Sequence, residues 1–277
     1  MSFNDHTYTG PDIVNTLLGV LIRFRQEKVA ILGDVEMMYL RVQVYPEDHK
    51  FLRFLWFPNG DLHATPKTYC MTSNVFGAGP SGFNATYALR QCADDGIGTC
   101  DDAIIRSVHD NFYVDDYIMS VSTEAKAIEF VREIRRLLAA GGFRLHKWMS
   151  TSRKVIASVP ESERAGTIKE FSPDKELPTE RTLGVNFNVE RDEFTFDVNL
   201  KRKSEDKPVT KRVMLSIAAS LFDPLGFLAP VALVPKMIMQ EMCRDKLGWD
   251  DKASETQKEQ WEKWLDEMPM LSNVCIH

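Results

Sequence analysis

The stretch Asn111–Val121 reads NFYVDDYIMSV. Two adjacent aspartates, Asp115 and Asp116, interrupt a run of aromatic and β-branched residues that otherwise has the pattern of a buried strand. Neighbouring carboxylates repel, and unpaired buried charge is costly. The pair therefore belongs at a tight turn between two strands, where something must offset its charge.

Upstream, KVAILGD reads as a short buried strand ending at Asp34. Before it, Pro11 and Asp12 look like a helix start, followed by Ile13, Leu17, Val20, Leu21 and Phe24 at helical spacing. LRFLWFPNGDLHATPKTYCMT contains strand-like pieces broken by a Pro-Asn-Gly-Asp turn, and PSGFNATYALRQCADD fits a helix with proline near its first turn. Downstream, Ser122 or Thr123 can cap a helix with the apolar face Ile128, Val131, Ile134 and Leu138, which Gly141 and Gly142 end. FRLHKWM is one more strand. Strand, helix, strand, strand, helix, strand is the split βαβ, ferredoxin-like order: a four-stranded antiparallel sheet with helices on one face, an α+β fold. Residues 159–206 read as charged, proline-rich loops around a hairpin (RTLGVNFNV, then EFTFDV). Residues 207–277 read as helices, the last carrying Trp261, Trp264, Leu265 and Met268, a Trp and Met stripe of the kind that packs between helices. The first boundary is expected near residue 158.

The 277 residues carry a formal net charge of −6, an argument against a nucleic-acid binder with a basic stripe. Basic residues nevertheless gather at Arg132–Arg136, Arg144–Lys154 and Lys201–Arg212, so a basic track facing a polyanion stays open beside the plainer reading of solvated surface. The five cysteines are widely spaced with no CxxC pair, which favours neither a disulfide framework nor a zinc site. With no targeting signal and no apolar run of spanning length, the expectation is an intracellular, cytoplasmic chain without a membrane partner. His109 and His146 have no partners at metal-ligand spacing and read as surface or core histidines.

A split βαβ sheet sets its first and third strands side by side, so Asp34 is expected beside the Asp115–Asp116 turn. Three carboxylates in one place call for a cation, and oxygen-only ligands favour magnesium or manganese. Two such ions a few ångströms apart suit an in-line phosphoryl displacement.

These residues resemble the palm of reverse transcriptases. YVDD at Tyr113–Asp116 is similar to the family's catalytic turn, and LGDVEMMYLRVQV to its first motif, with Tyr39 five positions after Asp34. VFGAGPSGFNATYAL resembles the second motif, GGFRLHKW the fourth, and TLGVNF the primer-grip hairpin. GPDIVNTLLGVLIRFRQEKVAILGDVEMMYLRV, LFDPLGFLAPV and WEKWLDEMPMLSNV look like polyproteins of Pao/BEL-type LTR retrotransposons. The resemblance implies a right-hand polymerase palm over residues 1–158, a primer-grip hairpin and linker over 159–206, and a mainly helical thumb- or connection-like region over 207–277. It implies two Mg2+ (or Mn2+) ions on Asp34, Asp115 and Asp116, and Lys147 as a charge stabiliser or general acid. Tyr39 becomes a gate against the ribose 2′-hydroxyl, and Gly77 and Gly79 lie under template and nucleotide base. Ser81, Tyr113 and Val114 complete the nucleotide and template contacts. Implied partners are an RNA or DNA template, a primer strand, deoxynucleoside triphosphates and other retroelement polyprotein domains.

Two departures accompany the resemblance. The family's fingers strands are largely missing, and its usual Ser-Pro is Ser81-Gly82 here. An RNase H domain is expected to begin about where the sequence ends, and no protease or integrase segment is seen. The runner-up function is a non-catalytic, retroelement-derived palm-fold remnant that binds nucleic acid or protein. A nucleotidyl cyclase would want a GGDEF-like turn and an aspartic protease Asp-Thr-Gly or Asp-Ser-Gly, and neither occurs.

Overall fold

The computed structural model describes residues 2–168, 177, 179–196, 198 and 207–276, in two compact units, Met1–Pro173 and Asp174–His277. The 159–206 segment is divided between them. The parts of it at 169–176, 178, 197 and 199–206 lie outside the described residues.

The first unit is built on a four-stranded antiparallel sheet. Its strands are β1 (Val29–Val35), β4 (Phe112–Tyr113), β5 (Asp116–Val121) and β6 (Leu145–Ser150), in the order β4-β5-β1-β6. This is the split βαβ order, with β1 and β5 at the centre. Alternation divides their side chains: Ile31, Val35, Tyr117, Met119 and Val121 join one core with α3 (Ser81–Asp94), α4 (Asp102–Asp110) and α5 (Glu124–Ala140). On the opposite face Ala30, Leu32 and Ile118 are buried too. There α1 (Leu17–Phe24) lies against β4 and β5 and buries Val20, Leu21 and Phe24. Helices therefore cover both faces, not one as expected. The reason is the apolar stripe of α1, which needs a surface to bury against. Burial falls to intermediate at Asp34 and at Tyr113–Asp116, all at one end of the sheet.

Local chemistry sets the helix starts. α1 begins at Leu17 rather than at Pro11, because the Thr16 hydroxyl accepts from Gly19 N–H (3.2 Å). Asp12 instead accepts from Val14 N–H (3.1 Å) in a local turn. Thr123 is the cap of α5, accepting from Lys126 N–H. α4 is a helix the sequence reading did not contain, capped by Asp101 on Ala103 N–H (2.7 Å). The Pro-Asn-Gly-Asp turn joins β2 (Arg53–Trp56) to β3 (Lys67–Cys70), a separate two-stranded hairpin with every residue exposed.

The second unit contains β7 (Thr179–Thr182), β8 (Val185–Asn188), β9 (Glu193–Thr195) and β10 (Cys275–Ile276), antiparallel in the order β10-β9-β8-β7. Leu183 and Gly184 turn β7 into β8 with φ of 50° and 81°, the pair of positive values that a two-residue hairpin turn matching strand twist requires. Helices follow at Lys211–Ala218, Ala229–Arg244 and Glu255–Glu267. They close over a core of Met214, Ile238, Met242, Trp261, Trp264 and Leu265, in which the two indoles stack at 4.9 Å. Among the described residues no helix is long and apolar enough to cross a membrane.

Candidate active site

The β1–β5 register makes Asp34 and Asp116 cross-strand partners. Both side chains stand on the face away from the α3–α5 core, because Gly33, Val35 and Tyr117 occupy the alternate positions. Asp115 sits in the turn between β4 and β5, and its carbonyl accepts from Val35 N–H (2.9 Å), tying the turn to the end of β1. Val114 precedes it with φ of 56°. A β-branched residue is a clear outlier there, and such strain gathers at functional sites. Tyr113 ends β4 as the partner of Asp116.

The electrostatics follow from this crowding. Burial is the main cause that raises Asp116, to about 6, and the charges of Asp115 and Asp34 add to it, while Lys147 opposes. Asp115 is raised as well, by burial first and then by Asp34, with Lys147 again opposing. The three carboxylates thus feel one another, and the negative charge between them is incompletely neutralised.

Asp34 is the best neutralised of the three. One of its oxygens accepts from His146 Nε2–H (2.8 Å) and the other from the Lys147 ammonium (3.2 Å). His146, read from sequence as having no partner, is therefore part of the site. Its signal lies in the β1–β6 register, which makes it the partner of Asp34, and no local motif announces it. His109 also has a carboxylate partner, Asp94 at 2.7 Å, away from this cluster.

The other residues singled out lie in the segments of the first unit that follow β1. Tyr39 lies in the short helix Met38–Arg41, half-buried, with its ring 4.6 Å from that of Phe76. A Cβ on Gly82 would stand 3.7 Å from the Tyr39 hydroxyl, an ordinary contact distance, so the residue after Ser81 borders Tyr39. Gly77 carries φ of 85° and its carbonyl accepts from the Asn4 amide (2.9 Å), while Gly79 N–H donates to the same amide's oxygen (2.8 Å). Ser81 is 2% exposed at the start of α3, its carbonyl held by Asn74, so it shapes the turn from inside.

An all-oxygen donor set of this composition suits a hard divalent cation, and the raised Asp115 and Asp116 are what such an ion would relieve. As they stand, the described residues contain no group of three or more His, Cys, Asp and Glu side chains arranged to hold a metal ion, and Asp34 is engaged by His146 and Lys147. The donors fit the ion in chemistry.

Comparison with known proteins adds three findings. Residues 210–277 match the family model described as the Pao retrotransposon-like RNaseH-like domain. That stretch contains the three helices of the second unit, a 3-10 helix at Met268–Asn273 and β10. From sequence it reads as a thumb- or connection-like region, whereas the family description is RNaseH-like. No curated protein matches the chain. Among solved structures, the foamy viral protease-reverse transcriptase dRH in complex with ds DNA superposes with a TM-score of 0.60 at 13% identity, over 96% of this chain and 40% of that one. The foamy viral protease-reverse transcriptase in complex with an RNA/DNA hybrid gives 0.53 at 14%, over 94% and 30%. The chain thus spans less than half the length of these solved relatives. It is a mixed α and β protein with antiparallel sheets, similar in fold to a retroviral polymerase-related protein, and its last residues match a Pao retrotransposon domain.

Proposed function

We propose that the chain is the catalytic part of an RNA-directed DNA polymerase of a Pao-type retroelement. Residues 1–158 would serve as the palm, 159–206 as the primer-grip hairpin and linker, and 207–277 as a thumb- or connection-like region. The observation that carries this is the facing pair Asp34 and Asp116 beside the strained Val114–Asp115 turn, with two carboxylates held above their ordinary range.

In the proposed reaction a primer 3′-hydroxyl attacks the α-phosphate of a deoxynucleoside triphosphate and pyrophosphate leaves. Asp34, Asp115 and Asp116 would hold two Mg2+ (or Mn2+) ions, which supply charge neutralisation at the attacking and leaving oxygens. Lys147 brings a fixed positive charge to the same edge and serves as charge stabiliser or general acid. Tyr39 borders the sugar and excludes a 2′-hydroxyl. Gly77 and Gly79 let the backbone approach template and base, with Ser81 supporting them, and Tyr113 and Val114 complete the nucleotide and template contacts. Most of the acceleration comes from positioning and preorganised charge. Template, primer and triphosphate are the implied partners, consistent with the nucleic-acid complexes named for the foamy viral relatives.

A second reading has its own observation: with Asp34 engaged by His146 and Lys147, the fold serves as a nucleic-acid-binding remnant without catalysis. Primer extension with Mg2+ or Mn2+ separates the two. Synthesis that Asp115→Asn reduces by at least a hundredfold supports the polymerase; template binding with no synthesis under any metal condition supports the remnant.

A further inference from the structure

The ladder between β1 and β6 slips by one residue where it matters most. Leu32 pairs with Met149 and Asp34 with His146, so Lys147 and Trp148 together stand opposite Gly33 alone. This is a bulge in β6, and Lys147 takes it up with φ of 53°. In a regular strand, successive side chains point to opposite faces, so only one of His146 and Lys147 could reach Asp34. With the bulge both do, one on each carboxylate oxygen. Trp148 meanwhile turns into the core, 2% exposed, over Gly33, where a Cβ would meet its ring at 3.3 Å. Gly33 and Trp148 thereby anchor the bulge from behind. His146 and Asp34 are about one-fifth exposed, while the Lys147 side chain is 57% exposed and free to leave.

We propose that this bulge is a positioning device for Asp34: His146 fixes the orientation of the carboxylate, and the Lys147 ammonium is a resident counter-cation that yields its place when a divalent ion binds. The inference rests on the metal-binding reading above and goes beyond it in giving two adjacent residues opposite effects on metal affinity. Lys147 competes for an oxygen that the ion needs. His146 donates to the other oxygen, and such hydrogen-bond partners of a ligating carboxylate strengthen binding by keeping it in place. Release of Lys147 from Asp34 would also free its charge for the triphosphate, so that one side chain guards the empty site and serves the loaded one.

The test is Mn2+ binding to the full chain, read by the loss of the free-ion electron paramagnetic resonance signal, with circular dichroism to confirm folding. Lys147→Met keeps the chain length and removes the charge; it should tighten Mn2+ by about two- to fivefold, the modest range expected of an exposed pair. His146→Ala should weaken it by about tenfold or more. His146→Gln, whose amide N–H can reach the same oxygen, should restore most of that loss, which a merely structural role for the ring would not predict. Asp115→Asn separates the two levels of failure. Mn2+ binding that depends on Asp115 but is unchanged or weakened by Lys147→Met, or unaffected by His146→Ala, overturns the device and leaves the metal site standing. Binding that is absent, or indifferent to Asp115→Asn, overturns the metal site and the device with it.

Discussion

Asp116→Asn should stabilise the first unit, and only at neutral pH. Asp116 moves from an ordinary 3.8 to about 6 on folding, because burial and the neighbouring carboxylates disfavour its charged form. Such a group favours the fold fully below its unfolded value and loses that contribution as pH rises through the folded one. Between about pH 4 and pH 7 the wild type therefore gives up at most about 3 kcal/mol, at about 1.4 kcal/mol per pH decade. Solvent still reaches the side chain, which reduces the expected loss to about 1–2 kcal/mol. Asparagine keeps the shape and has no charge to lose. Urea unfolding followed by hydrogen exchange of peptides from β1 and β5 reports this unit by itself. The variant should be more stable than wild type by about 1–2 kcal/mol at pH 7.5 and nearly equal to it at pH 4. A difference of the same size at both pH values, or a variant that is weaker at pH 7.5, would refute the claim that burial and crowding of this charge strain the site.

Two further outcomes can be checked by simple substitution. Gly33→Ala pushes a methyl to 3.3 Å from the buried Trp148 ring and should cost about 1–2 kcal/mol in the same exchange assay, whereas Gly166→Ala, with open space around it, should cost almost nothing. For Tyr39→Ala, an enzyme that extends primers should admit ribonucleotides at least tenfold more readily with deoxynucleotide use largely kept, a gain of about 1.4 kcal/mol for the wrong sugar; unchanged discrimination in steady-state kinetics would return Tyr39 to its packing against Phe76.

Much of the first unit was legible because its elements carry strong periods. The short apolar runs in Val29–Val35 and Asp116–Val121, the helical face of α5 and its glycine stop led to the split βαβ order, and that order alone brought Asp34 to the aspartate turn. α4 escaped because its sequence, CDDAIIRSVHD, offers only Ile104, Ile105 and Val108 as buried apolar residues beside several charges. The start of α1 was misplaced because Pro11-Asp12 imitates a helix entry, while the cap that decides it, Thr16, sits among residues that look helical already. At the site, residue types revealed the carboxylates but not their surroundings. His146 lies 112 residues from Asp34, so its role is a property of register, and the left-handed backbone of Val114 is hidden behind a residue type that favours strands.

The central position of β1 has a consequence for the order in which the protein is made. β1 is synthesised early, but Asp34 must wait for its neighbours, Asp116 in β5 and then His146 in β6. At roughly 5–20 residues per second, several seconds separate the emergence of Asp34 from that of either partner. During that interval the apolar run VAIL is a nascent strand with both edges open, the kind of segment chaperones shield. Asp34, for its part, stays apart from the adjacent Asp115 and Asp116 on the growing chain, and their repulsion of it enters only when β5 docks. The site is thus complete only once β5 and β6 have paired with the strand that bears its first aspartate.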